Sequence, residues 1–249
     1  LRLALRRHPF LALLGLSLFS LNYLLFYYAA FDLATGLLAV IFSTMTVMNI
    51  FNSAIFLSRQ IQKKTVLAVV FGLTGMALVF WPEITTSGPR VAAAIGISLI
   101  ATYLASIGNI VSARNQNHGL PVASTNTIGM AYGALFMLAY SAGSGTPFVI
   151  DTSTTYIGSL LFLALFASAI AFGCYLTLVG RIGPANAAYA TVLFPIVALA
   201  LSTWFEDYEW QNRALVGVGL ILIGNAIVLS RPGLISRLKA LSPRGQNND

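Results

Sequence analysis

Eight apolar stretches, each near the length of a bilayer-crossing helix, fill most of this 249-residue chain, and its charges fall in the breaks between them. The stretches run 10–31, 34–57, 66–81, 91–111, 122–142, 156–179, 185–205 and 215–230. A helix needs about 20 apolar residues to cross the hydrocarbon core. The third and eighth are short, and basic side chains flanking them reach the headgroups by snorkelling. Charged residues make up 8% of the chain and the mean hydropathy is +0.82. A soluble domain carries about 25% charged residues, so lipid must be the solvent for most of this surface. In lipid each spanning segment has to satisfy its own backbone groups, which at this length selects helices. The fold class is an all-α membrane protein with eight visible transmembrane helices.

The breaks alternate in charge. One set holds Arg2, Arg6 and Arg7, then Arg59, Lys63 and Lys64, then Arg114, Arg181, Arg231, Arg237, Lys239 and Arg244. The other set holds Asp32, Glu83 with Arg90, Asp151, and Glu206, Asp207 and Glu209 with Arg213. The positive-inside rule makes the first side cytoplasmic. Both visible termini are then expected on the cytoplasmic side of the cell membrane. The net charge of +7 is explained by loops facing anionic lipid headgroups, and no aromatic-interleaved basic stripe argues for nucleic acid. Cys174, the single cysteine, excludes a disulfide framework and reads as a small packed residue. His8 and His118 fall in loops far apart, so no metal or cofactor is called for.

Turn chemistry sharpens the boundaries. Asp32 is placed to cap the helix that begins near Ala34, and Pro184 suits the first turn of the helix after Arg181-Ile182-Gly183. Pro82, Pro89, Pro121, Pro147 and Pro232 are expected in breaks, whereas Pro195 falls within a span and should bend it.

A shift of 150 positions lays the turn at 31–34 on 181–184, the span at 66–81 on 216–231, and Pro82 on Pro232. The period covers five spans, an odd number, so the two copies would be inverted in the membrane. Inverted repeats of this kind characterise transporters, with the substrate site near the midplane between the copies. The spans at 91–111 and 122–142 would have partners at −59 to −8. The first copy (1–90, three helices) is therefore expected to be N-terminally incomplete, the second (91–232) to hold five helices, and 233–249 to form a basic cytoplasmic tail. A start at Leu1 rather than Met favours a truncated chain over a naturally shortened one.

The run Leu21-Asn-Tyr-Leu-Leu-Phe-Tyr-Tyr-Ala-Ala30 followed by Ala34-Thr-Gly-Leu-Leu-Ala39, and Gly183-Pro-Ala-Asn-Ala-Ala-Tyr-Ala-Thr-Val-Leu-Phe-Pro195 followed by Phe205-Glu206 and Leu215-Val-Gly-Val-Gly-Leu-Ile-Leu-Ile-Gly-Asn225, resemble the ten-helix, EamA-like branch of the drug/metabolite transporter superfamily. The resemblance covers almost the whole chain. It implies a ten-helix (5+5) inverted-repeat bundle of which family helices three to ten are seen, and export of a small organic metabolite, amino-acid-like or drug-like, by alternating access. It also leaves open a non-transporting partner subunit and a translocator of lipids or lipid carriers. The implied partners are a small-molecule solute and membrane lipid, with homo-oligomerisation open; an enzyme is not implied. Two positions depart from the family pattern: Met45 stands where a proline is frequent, and Ser58-Arg59 stand where an acidic residue is common.

No Asp, Glu, Lys, Arg or His lies deep in a span, so neutral polarity must mark the site. Candidate substrate-binding residues are Asn22, Asn49, Asn52 and Asn109, and the tyrosines Tyr23, Tyr27, Tyr103, Tyr132, Tyr175 and Tyr189. Asn126, Asn186 and Asn225 are further amides in spans. An unpaired amide in hydrocarbon costs several kcal/mol. Each therefore either bonds a neighbouring helix, worth about 0.6 kcal/mol on average, or faces a polar pathway. Tyrosines at headgroup level are ordinary belt residues; mid-span ones such as Tyr103 and Tyr175 fit that account less well. Gly36, Pro184 and Pro195 are the candidate hinges.

Overall fold

The computed structural model describes residues 5–58, 60, 63–87, 89–145, 149, 151–187, 194–205 and 212–229. They form helices α1 (His8–Ala29), α2 (Thr35–Leu57), α3 (Lys63–Ser87), α4 (Pro89–Asn117), α5 (Val122–Gly143), α6 (Thr154–Ile182), α7 (Pro184–Ala187), α8 (Phe194–Phe205) and α9 (Asn212–Leu229). Strands are absent among the described residues. Five of these helices, α1, α2, α4, α5 and α6, are long and apolar enough to cross a membrane. The chain is an all-α, multi-pass membrane protein. Each expected span coincides with a helix in its described residues; for 185–205 these form α7 and α8, and 188–193 lie outside the described residues.

Helix α4 is the centre of the bundle, touching α1, α2, α3, α5 and α6. Its buried face carries Ser98, Thr102, Ser106, Asn109 and Ser112 at helical spacing, among Ala94, Ala101, Ala105 and Gly108. Ser98 and Thr102 donate to the carbonyls of Ala94 and Ser98, both at 2.8 Å, so their hydroxyls cost little on burial. Small residues let neighbouring backbones approach, which matters in lipid, where burying apolar surface gives no net drive. A Cβ on Gly108 would lie 2.6 Å from Leu18 Cβ of α1.

Helix α1 is held along its length to α5. The Tyr28 and Tyr140 hydroxyls share a hydrogen bond of 2.6 Å at one end, and His8 Nδ1 lies 2.8 Å from the Tyr132 hydroxyl toward the other. Between them a Cβ on Gly15 would sit 2.5 Å from the Gly129 carbonyl oxygen. Two of the helix pairs equated by the 150-residue shift are neighbours. α2 lies on α8 and α3 on α9, and α3 and α9 meet where a Cβ on Gly75 or Gly217 would be 2.5 Å from the other's carbonyl oxygen.

Two helices carry π segments, Ser17–Leu21 in α1 and Leu163–Ile170 in α6. Shifted by 150, the first falls on 167–171 and overlaps the second. Helix α2 is interrupted at Thr44, between Thr35–Ser43 and Met45–Leu57. There the Ser43 and Thr44 hydroxyls donate to the carbonyls of Val40 and Ile41, each at 2.7 Å. Hydroxyl back-bonding thus breaks the helix next to Met45, where no proline is present.

Three local expectations are corrected. Asp32 does not cap α2: the cap position is Ala34, without a side-chain bond, and Asp32 is exposed. Pro82 lies inside α3 and Pro89 opens α4. A helix can run past the end of its apolar stretch, where water or headgroups serve the carbonyl a proline leaves free, so the hydropathy break ended α3 too early. His8 begins α1 rather than lying in a loop. Pro184 opens α7 as expected, after Gly183 at φ 84°, a backbone region that favours glycine. Pro195 is the second residue of α8, and the tail lies outside the described residues.

Replacing Gly75 or Gly217 by Val should force α3 and α9 apart and cost about 1–3 kcal/mol. Gly72→Val, where a Cβ meets nothing within 4 Å, is the control. Thermal unfolding in detergent should show lower midpoints for the first two and little change for the third.

Candidate functional site

A cavity of about 530 Å³ opens among α1, α2, α4 and α6. Helix α1 contributes Leu18, within its π segment, and Asn22, just after it. Helix α2 contributes Phe42 and Met45, on either side of its interruption, and α4 contributes Asn109. Along α6 the wall is made by Ala167 and Ala171, then Phe172 and Cys174, then Tyr175 and Leu178. The lining is mostly apolar, and none of these side chains carries a charge at neutral pH.

Its polarity is concentrated on Asn109 and Tyr175. Asn109 is fully buried, and its Nδ2 donates to the Tyr175 hydroxyl at 3.3 Å and points at Met45 Sδ at 3.4 Å. Its Oδ1 has no partner. Asn49, one helix away and fully buried, faces the same Tyr175 hydroxyl, yet neither of its amide atoms reaches hydrogen-bond geometry. Asn52 is satisfied, donating to Ser106 Oγ at 2.8 Å. Buried polar atoms without partners are rare in folded proteins and call for an explanation such as a ligand or bound water.

Of the residues predicted from sequence, Asn22, Asn109 and Tyr175 come together on the cavity, with Asn49 and Asn52 immediately behind. Tyr23 packs edge-on against Phe172, ring centroids 6.4 Å apart. Tyr27 and Tyr103 are exposed on the outside of the bundle and stand apart from the cavity lining. Tyr132 is engaged by His8. Tyr189 lies outside the described residues, as do the side chains of Asn186 and Pro195. Gly36 is a packing position, since a Cβ there would be 2.7 Å from Leu199 Cδ2.

Cys174 corrects its sequence reading: it is exposed on the cavity wall rather than packed. Sequence reasoning also passed over Phe42, Met45, Phe172 and Leu178, whose composition matches that of lipid-facing positions. For Tyr103 a signal was available. The stripe Ser98, Thr102, Ser106, Asn109 defines the inward face of α4, and Tyr103 lies about 100° away from Thr102 around the helix.

A family model described as the EamA-like transporter family matches residues 2–81 and 92–230. An uncharacterized transporter of Clostridium kluyveri is 23% identical over 94% of this chain and 76% of its own length. A probable amino-acid metabolite efflux pump of Salmonella typhimurium is 24% identical over 87% of this chain and 75% of its own. One crystal structure superposes with a TM-score of 0.64 at 15% identity, over 92% of this chain and 79% of that one.

The chain has one cysteine, so a membrane-permeant maleimide should label the folded protein at a single site facing the cavity. Mass spectrometry should find one adduct on Cys174, absent in Cys174→Ser. Labelling should slow at least about tenfold in Ala171→Trp, which fills the adjacent wall.

Proposed function

This chain belongs to the EamA-like transporter family, and from that premise we propose that it exports a small organic metabolite, amino-acid-like or drug-like, through the α1–α2–α4–α6 cavity. The observation that carries the reading is a cavity of solute size holding a fully buried amide, Asn109, with an unpaired oxygen. Ligand pockets are largely apolar, with a few placed polar groups. The direction is supported by the relative named as a probable efflux pump.

The mechanism proposed is alternating access, with residues 1–90 and 91–232 as two inverted copies that rock about the cavity. Its support is local. Each copy has a π segment at the matching place beside the cavity, and α2 is interrupted at its wall. π turns and helix breaks are where helices bend. Pro184 and Pro195 remain candidate pivots of the second copy, and the interruption at Thr44 serves the first in place of a proline. The basic breaks support a cytoplasmic location for both termini, the cavity then opening to the cytoplasm and to the exterior in turn.

Inside-out vesicles containing the protein, screened with labelled hydrophobic amino acids and their derivatives, should accumulate at least one compound saturably. Asn109→Leu and alkylation of Cys174 should each lower that flux about tenfold or more, while Tyr103→Ala leaves it unchanged. Saturable flux insensitive to both treatments would place the pathway elsewhere.

A further inference from the structure

We propose that the cargo is a net-uncharged, amphipathic molecule whose polar head is an amide or hydroxyl, and that solutes bearing a free carboxylate or ammonium are rejected. This rests on the cavity being the transport pathway, and it follows from what the walls can and cannot offer.

The polar end presents a complementary pair. Asn109 Oδ1 is an acceptor without a donor, buried completely. The Tyr175 hydroxyl accepts from Asn109 Nδ2 at 3.3 Å, which leaves its own proton to give. Asn49, unpaired behind them, adds a second amide to the same end. A neutral amide fits this pair with its N–H on Asn109 Oδ1 and its carbonyl on the Tyr175 hydroxyl, and an alcohol can take either role.

The remaining walls supply no counter-charge. Phe42, Met45, Phe172 and Leu178 are apolar, and no carboxylate, ammonium, guanidinium or imidazole lines the cavity among the described residues. The nearest cation along α4, Arg114, is committed to the Phe10 ring, 3.4 Å from its centroid. Arg181, at the end of α6, is exposed. A cargo that is handed across the membrane must shed its water in this space. A zwitterion would bring two charges and find hydrogen bonds but no counter-charge for either, whereas an uncharged head exchanges water for Asn109 and Tyr175 and leaves no charge uncompensated. The apolar walls accept an aromatic or branched body. Amino acids whose charged ends are capped meet these conditions; free amino acids do not.

The test uses the full chain in proteoliposomes and four analogues of one shape: N-acetylphenylalaninamide (neutral), N-acetylphenylalanine (anion), phenylalaninamide (cation) and phenylalanine (zwitterion). Two quantities are read, the rate of Cys174 alkylation by N-ethylmaleimide and counterflow of each labelled analogue. The neutral compound should slow alkylation at least tenfold at saturation and be carried. The three charged compounds at the same concentration should slow it less than twofold. Asn109→Asp should transfer protection to phenylalaninamide, and Tyr175→Phe should weaken protection by the neutral compound. A charged analogue that protects wild type as well as the neutral one, or no protection by any of the four, overturns the proposal. Charged analogues that protect and are carried leave the cavity as the pathway and refute only the cargo class. Carriage that continues unchanged after Cys174 is alkylated refutes the pathway itself.

Discussion

Close approach of backbones at small residues is the constraint on which this bundle depends. In hydrocarbon, Leu against Leu is no better than Leu against lipid, so helices associate through van der Waals fit and internal hydrogen bonds. The contacts at Gly15–Gly129, Gly36–Leu199, Gly75–Gly217 and Gly108–Leu18 are four places where that fit is tight. Each ties a different pair of helices. Together with the serine and threonine face of α4 they draw the bundle in around one helix. Against that tightness the cavity beside α6 stands out as a more loosely packed region. The π segments of α1 and α6 contribute Leu18 and Ala167 to its lining.

The chemistry of the cavity follows from what a membrane interior permits. Carboxylates, ammonium, guanidinium and imidazole groups at that depth are costly and need partners, and none of these lines the cavity among the described residues. Amides and phenols can be buried at far smaller cost when they satisfy one another, as Asn109 and Tyr175 partly do. Asn109 Oδ1 is left without a partner.

Much of the fold was legible in the sequence because its main variables, apolar length and charge placement, are local. Each span met helix in its described residues, and two of the helix pairs related by the 150-residue shift lie against one another. The misses were at ends. Asp32 sits in the turn two residues before the cap position Ala34 and does not cap α2, and α3 runs past Pro82 because a helix leaving the hydrocarbon can continue beyond its apolar stretch. The site was legible in part. Polar residues in apolar spans drew attention to Asn22, Asn109 and Tyr175, since burying them needs a reason. The same logic also drew in Tyr103, which faces outward, because a tyrosine's presence in a span says nothing about its angle around the helix. Met45 and Phe172 carried no mark at all. An apolar side chain lining a cavity and one facing lipid have the same composition, and only the packing of α1, α2, α4 and α6 tells them apart.

The central claim is that the cavity is a pathway open to each side in turn. The most direct measurement is the sidedness of Cys174 reactivity, with a membrane-impermeant methanethiosulfonate applied from one face or the other of oriented vesicles. The account predicts that Cys174 reacts from both faces, and that a solute gradient raises one rate while lowering the other. Reactivity from a single face under every gradient would contradict it, and would make the cavity a static pocket rather than a route across the membrane.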